Sequence, residues 1–387
     1  MGLPLAYSVN NLTARKVTTL LAAGGIALVV VVFASVLMLA HGFRKTMIGT
    51  GSPGNAIVLR KGATSELVSS IDRNQASILK TQPEVALNPD GTPIAASEVI
   101  VIISAPKRRS GGESNVVVRG VVPESMKMRP VTITDGRMWQ PGLSELVAGR
   151  MIAEKFKGCG IGETVRLGGR DWTVVGIFDA GETGFESELW GDADQVMAAV
   201  RRPTYSSITL RLRDPADLPT LTDRIDKDPR FNAQVKGERE FYDEQSKSIS
   251  LFIEFLGIFV TLVFSVAAIL AAMLTMFATI SSRTAEIGTL RALGYPRRSI
   301  LLSFVVESTL VGVTGGVVGI LPAFALQFVS FSTTNWSSFS EVAWRFSLNG
   351  WIVAASILFA TLMGFIGGLL PALRAARIPV VDALREA

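Results

Sequence analysis

Residues 281–299, SSRTAEIGTLRALGYPRRS, form a short charged stretch between two long apolar runs. The stretch carries Arg283, Arg291, Arg297 and Arg298 against a single acid, Glu286. Ile287, Leu290 and Leu293 recur every three residues, which a helix would gather into one stripe. Gly294 is a natural C-terminal stop, and Pro296 suits the first turn of a following helix. The spacing predicts a short helix lying along a membrane surface between two spanning helices, a face on which another protein can push.

Composition agrees with a membrane setting. The 387 residues are 48% hydrophobic and only 18% charged, whereas soluble proteins carry about a quarter charged residues. The apolar excess lies in four blocks, at about 17–40, 249–280, 300–331 and 348–370, each long enough for the roughly 20 residues that a bilayer needs. The first block is uncharged, exceeds the roughly 7–15 residues of a signal-peptide core, and is followed by no small-x-small cleavage site. It reads as an uncleaved span.

Charge sets the orientation. Residues 43–247 hold 28 Lys/Arg and 27 Asp/Glu, and the remainder holds 10 and 6. The net +5 therefore sits mostly beside the membrane, which points to topology rather than to nucleic acid. The Arg15/Lys16, Arg283–Arg298 and Arg374–Arg385 clusters fall on one side, and the short opposite loop has only Arg345. Both termini and residues 281–299 are thus expected in the cytoplasm.

The expected fold class is membrane α-helical: four transmembrane helices, with a large α+β extracytoplasmic (periplasmic) domain inserted between helices 1 and 2. Residues 1–42 are the cytoplasmic N-terminus and first span, 43–247 the outer domain with its stalk, and 248–387 the other three spans. Within 43–247, strands are expected at 55–60, 98–104, 115–122, 145–149, 164–167, 171–177 and 207–212. Helices are expected at 65–82, 150–156 and 217–226. Residues 238–250 run into the second span without a breaker and predict one continuous helix. Residues 332–347 read as a short external loop whose Trp336 and Trp344 suit the interfacial belt.

The motifs of catalysis are missing. There is no G-x-x-x-x-G-K-[ST], G-x-S-x-G or H-E-x-x-H, and no Cys/His cluster for a metal. Cys159 is the single cysteine and His41 the single histidine, at the end of an apolar run. The acids of 43–247 are scattered among bases and read as a solvated surface, with no catalytic residue expected. Small residues are more telling: Gly312, Gly315, Gly316 and Gly319 in the third span, and Gly364, Gly367 and Gly368 in the fourth, allow close helix approach. They fit tight packing within the chain, and equally a dimer seam or moving interface. Glu307 lies about two turns into the third span. It either pairs with Arg297 or Arg298 near the headgroups or has a coupling role. Glu254, nearer the outer boundary of the second span, reads as interfacial.

The layout of one span, a large outer domain and three more spans resembles the MacB/FtsX/LolC–LolE group of ABC transporter permeases. The group's R-x-x-E-I-G-x-x-R-A-x-G is matched by Arg283, Glu286, Ile287, Gly288, Arg291, Ala292 and Gly294, followed by Glu307. The glycines at 312–319 also match, as do Pro371, Ala372, Ala375, Pro379, Ala383, Leu384 and Arg385 at the end. In the outer domain the resemblance covers ELVAGRMIAEKFKGCGIGETVRLGGRDWTVVGIF and is weakest at 43–131.

The resemblance implies a dimerising permease subunit, with a second copy or a paralogue as its mate, in the cytoplasmic (inner) membrane. Two separate ABC ATPase subunits would dock on the coupling helix, residues 281–299. ATP and Mg would enter only through that partner, and the chain would be no enzyme itself. A periplasmic adaptor and membrane lipid are further partners the group suggests. The group works mechanically: closing ATPases press on the cytoplasmic helix and the stalks move the outer domains. The spans hold few polar residues that could line a hydrophilic path. A second reading is an FtsX-like scaffold that activates an external hydrolase without transport.

Overall fold

The computed structural model describes residues 16–335 and 339–379. Trp336, Arg15 and the closing Ala383, Leu384 and Arg385 lie outside them. In chain order the elements begin with α1 (Lys16–Thr50), β1 (Asn55–Arg60), α2 (Arg73–Lys80), β2 (Ala95–Pro106), β3 (Glu113–Val121), α3 (Pro123–Met128) and β4 (Thr132–Gly136). Next come β5 (Glu145–Gly149), α4 (Arg150–Lys155), β6 (Thr164–Leu167), β7 (Arg170–Asp179), β8 (Glu188–Asp192), α5 (Ala193–Ala199), β9 (Ser207–Arg211), α6 (Leu218–Lys227) and β10 (Ala233–Gly237). The chain then runs through α7 (Glu238–Ser281), α8 (Thr284–Ala292), α9 (Arg297–Ala325), β11 (Ser330–Asn335), β12 (Ser340–Arg345) and α10 (Gly350–Arg377).

Two compact units result. One comprises the described parts of Met1–His41, Leu251–Val329 and Phe346–Ala387; the other is Gly42–Ser250 with Ser330–Arg345. Among the described residues four helices, α1, α7, α9 and α10, are long and apolar enough to cross a membrane. With an α/β sheet unit between the first and second of them, this is the expected fold class.

The sheet unit holds one ten-stranded mixed sheet in the order β10-β1-β9-β2-β3-β8-β5-β7-β4, with β6 paired to β7. All pairs are antiparallel except β3/β8 and β5/β7. Strand β1 (NAIVLR) is buried at five of its six positions, as a run of apolar residues covered on both faces requires. One core gathers Leu146, Phe156, Val165, Trp172 and Leu189. A second gathers Val58, Leu79, Ile208, Leu210 and Leu221.

Four expectations are corrected here. Residues 65–82 are not one helix. A single 3₁₀ turn, Glu66–Val68, precedes α2, because Ile71 leaves the helical path to bridge Tyr205, with N–H···O bonds of 2.8 and 2.9 Å. Strands β4, β8 and β10 were not expected. The loop after the third span is a hairpin, β11/β12, which belongs to the sheet unit. In it Trp344 is 2% exposed, its ring centroid 4.7 Å from that of Phe43 and 5.6 Å from that of Phe331, so it forms core rather than belt. Finally, not all the acids are solvated: Glu66, Glu98, Glu188 and Glu238 are buried, with Arg119 and Arg129 beside them.

Candidate functional site

The stretch quoted first folds as α8 and the turn after it. Helix α7 ends at Ser281, and Arg283 stands at the N-cap of α8 with φ −120° and ψ 15°. At the other end Gly294 takes φ +96°, the left-handed region that glycine adopts freely. Its N–H donates to Arg291 O at 3.1 Å, and Tyr295 N–H donates to Leu290 O at 3.2 Å. That pair of bonds is the Schellman closure. Pro296 then caps α9.

One face of α8 is built into the helical unit. Ile287 is 2% exposed and packs with Ile280, Ile300, Phe304, Ala372 and Ala375. Gly288 is buried beside it. The Arg283 guanidinium lies 5.2 Å over the Phe304 ring. It donates from Nε to Glu286 Oε2 at 2.9 Å and from Nη1 to Glu307 Oε2 at 3.3 Å. The opposite face is open: Glu286, Thr289, Ala292 and Leu293 are exposed. Leu293 therefore leaves the apolar stripe that three-residue spacing suggested, because the helix stops at Ala292. Arg291 is half-buried, and its Nε has no partner among the described residues.

Glu307 thus pairs with Arg283, not with Arg297 or Arg298, both of which are exposed. The Gly294 turn reverses the chain, so the start of α8 comes to lie beside the third turn of α9. A cavity of about 40 Å³ adjoins Glu307, with Thr19, Thr275, Thr279 and Ser308 in its wall. Those hydroxyl residues were not singled out from the sequence. Their signal was a small polar side chain inside an apolar run.

Behind this lies the glycine seam. A Cβ added at Gly312 would fall 2.5 Å from Ala360 O, and one at Gly364 would fall 2.5 Å from Ser308 O, so α9 and α10 touch backbone to backbone. Gly316 rests on Ala360 of α10. Gly315 and Gly319 face the other way: added Cβ atoms would meet Ala23 O at 2.8 Å and Ala27 O at 2.6 Å on α1. The four third-span glycines are all occupied by contacts within the chain. Gly24 and Gly25 of α1 have open space instead.

Comparison with known proteins matches both units. The family model of the MacB-like periplasmic core domain matches residues 19–228, and that of the FtsX-like permease C-terminal region matches residues 258–380. The chain is similar to the macrolide export ATP-binding/permease protein MacB of Shewanella sp. (strain ANA-3), 25% identical over 98% of this chain and 60% of that protein. It is also similar to the uncharacterized ABC transporter permease YknZ of Bacillus subtilis (strain 168), 24% identical over 70% of each. Among solved structures, the periplasmic region of MacB from Actinobacillus actinomycetemcomitans aligns with TM-score 0.37 and 13% identity, over 53% of this chain and 94% of that one. The chain spans 60% or less of the length of the first MacB relatives.

Proposed function

The chain belongs to the MacB/FtsX-like family of ABC transporter permeases, and on that premise we propose that it is a permease subunit working by mechanotransmission. ATP hydrolysis by separate ATPase subunits moves its sheet unit, which exports or extracts a substrate. Two ATPase subunits, each with ATP and Mg, serve two permease chains, one docking on each stretch 281–299. That stretch and both termini face the cytoplasm, and the sheet unit lies outside the inner membrane, as the arginine clusters favour. A periplasmic adaptor would meet the sheet unit.

The observation that carries this reading is the two-sided character of α8. One side is anchored through Ile287 and the Arg283–Glu307 pair; the other offers Glu286, Thr289, Ala292 and Leu293 to a partner. A push on the open side reaches α9 through a buried ion pair rather than through a loose linker. The half-buried Arg291, with a donor left over, suits a carboxylate of the partner. The relatives' name, an ATP-binding export permease, supports the reaction class.

The test is reconstitution. The purified chain alone hydrolyses no ATP, and added to its cognate ATPase in lipid it stimulates hydrolysis. Glu286→Ala and Arg291→Ala each lower that stimulation about tenfold or more, as loss of a docking hot spot does, with unchanged circular dichroism. Wild-type stimulation in both variants would sink the assignment of α8.

A further inference from the structure

Four carboxylates and two guanidiniums lie buried together inside the sheet unit. Arg119 of β3 donates from Nε to Glu188 Oε2 at 2.7 Å, and from Nη1 to both Glu66 Oε1 and Glu98 Oε2 at 2.8 Å. Arg129, just after α3, donates to both oxygens of Glu98, at 2.5 and 2.9 Å, and to Glu238 Oε1 at 3.3 Å. Ser125 and Ser207 donate to Glu98 and Glu66, and Trp190 Nε1 to Glu188. No side chain among the six ions is more than 11% exposed.

Glu238 connects this network to the long helices. It is the first residue of α7. Its Oε2 accepts from Ser52 N at 2.9 Å and from Asn55 Nδ2 at 2.8 Å, in the segment that follows α1. Gly51 closes the same junction: a Cβ there would fall 2.6 Å from backbone atoms of Glu238 and Arg239. A half-exposed pair, Arg44–Asp243 at 2.8 Å, ties α1 to α7 again. Replacing such a network by apolar residues often leaves stability unchanged. Each guanidinium is nevertheless shared by two or three carboxylates, so none can move without breaking the bonds of the others, and together they hold one geometry.

We propose that this network clamps the end of α1 and the start of α7 to the sheet as one rigid piece, with Glu238 as its positioning residue. Motion of α7 then moves the sheet instead of being lost by bending at Gly51 or Gly237. The proposal rests on the mechanical reading given above.

The test uses the full chain with its ATPase in lipid nanodiscs, as wild type, Glu238→Gln and Asn55→Ala. Spin labels are placed at Arg166→Cys, an exposed site in β6. The single native thiol, Cys159, is fully buried and out of reach of the label in the folded chain. In the variants, hydrogen exchange over residues 238–246 rises about tenfold or more and ATP hydrolysis stays near wild type. The change in label distance between the two copies on trapping with ATP and vanadate is lost. Exchange unchanged in both variants, or a wild-type distance change despite raised exchange, overturns the clamp. Asn55→Ala removes one neutral donor and decides the matter should Glu238→Gln not fold. A wild-type complex without ATPase stimulation or distance change refutes the mechanical reading instead, and the exchange measurement still decides whether Glu238 holds the helix.

Discussion

Arg283 and Glu307 meet at 3.3 Å, with side chains only 4% and 8% exposed, and so join the start of α8 to the third turn of α9. The pair ties the exposed stretch to the apolar helices, whereas Glu286, which also accepts from Arg283, is 59% exposed. Stranding one member of a buried pair costs up to about 3–5 kcal/mol, less where Arg283 keeps its bond to Glu286, whereas replacing both by apolar residues is far milder. Thermal unfolding in detergent should therefore rank Glu307→Leu well below wild type, Glu286→Ala close to it, and the double variant Arg283→Met/Glu307→Leu above Glu307→Leu alone. A double variant as unstable as the sum of the singles would show that the pair has no special coupling.

The glycine seam makes a paired prediction. Gly312→Ala puts a methyl against Ala360 O, with only backbone to give way. Gly24→Ala adds the same methyl into open space. The first should lower the melting temperature by several degrees, and the second should change stability by no more than about 0.5 kcal/mol. Equal effects at the two sites would contradict the backbone contact between α9 and α10.

Several elements were legible because their signal is local. Strands β1, β5 and β6 fall on the expected residues, where short apolar runs end at Arg60, Gly149 and Gly168. Helix α7 is continuous because nothing between 238 and 281 breaks it. What escaped depends on distant partners. Ile71 is drawn out of a helical pattern by Tyr205, and the hairpin β11/β12 gains its place from Ser187, whose Oγ accepts from Ala343 N at 3.0 Å. The candidate site was half legible: the motif named Arg283 and Glu307 but not their pairing, which the Gly294 turn creates. The buried network had two signals, a charge at Glu98, which opens the apolar run EVIVIIS, and one at Arg119, inside the run NVVVRGVV. Their partners lie too far along the chain to be read from them.

The same network predicts acid sensitivity. Burial disfavours ionised Glu98, but the Arg129 and Arg119 guanidiniums outweigh it and hold the carboxyl below the usual range. The unfolded chain then binds a proton more readily than the folded one. The stabilisation is present above the ordinary carboxylate value and is lost as pH falls through the depressed one. Urea unfolding of the full chain in detergent should show stability falling steeply below about pH 4.5. In Glu98→Gln, less stable overall, the slope there should be shallower. An unchanged slope would remove Glu98 from the account.

Trp344 separates two environments that its sequence position could not. A tryptophan in an interfacial belt meets lipid, whereas Trp344 is buried against Phe43 and Phe331. Its Nε1 has no partner among the described residues, so its emission should be blue and well shielded. The wild-type minus Trp344→Phe difference spectrum in nanodiscs should therefore peak near the blue limit and resist quenching by brominated lipid. Trp344→Ala should cost about 3–5 kcal/mol, as truncation of a buried aromatic does, and should release the hairpin β11/β12 to protease while the sheet strands stay protected. Strong quenching of the difference signal by brominated lipid would return Trp344 to the membrane belt.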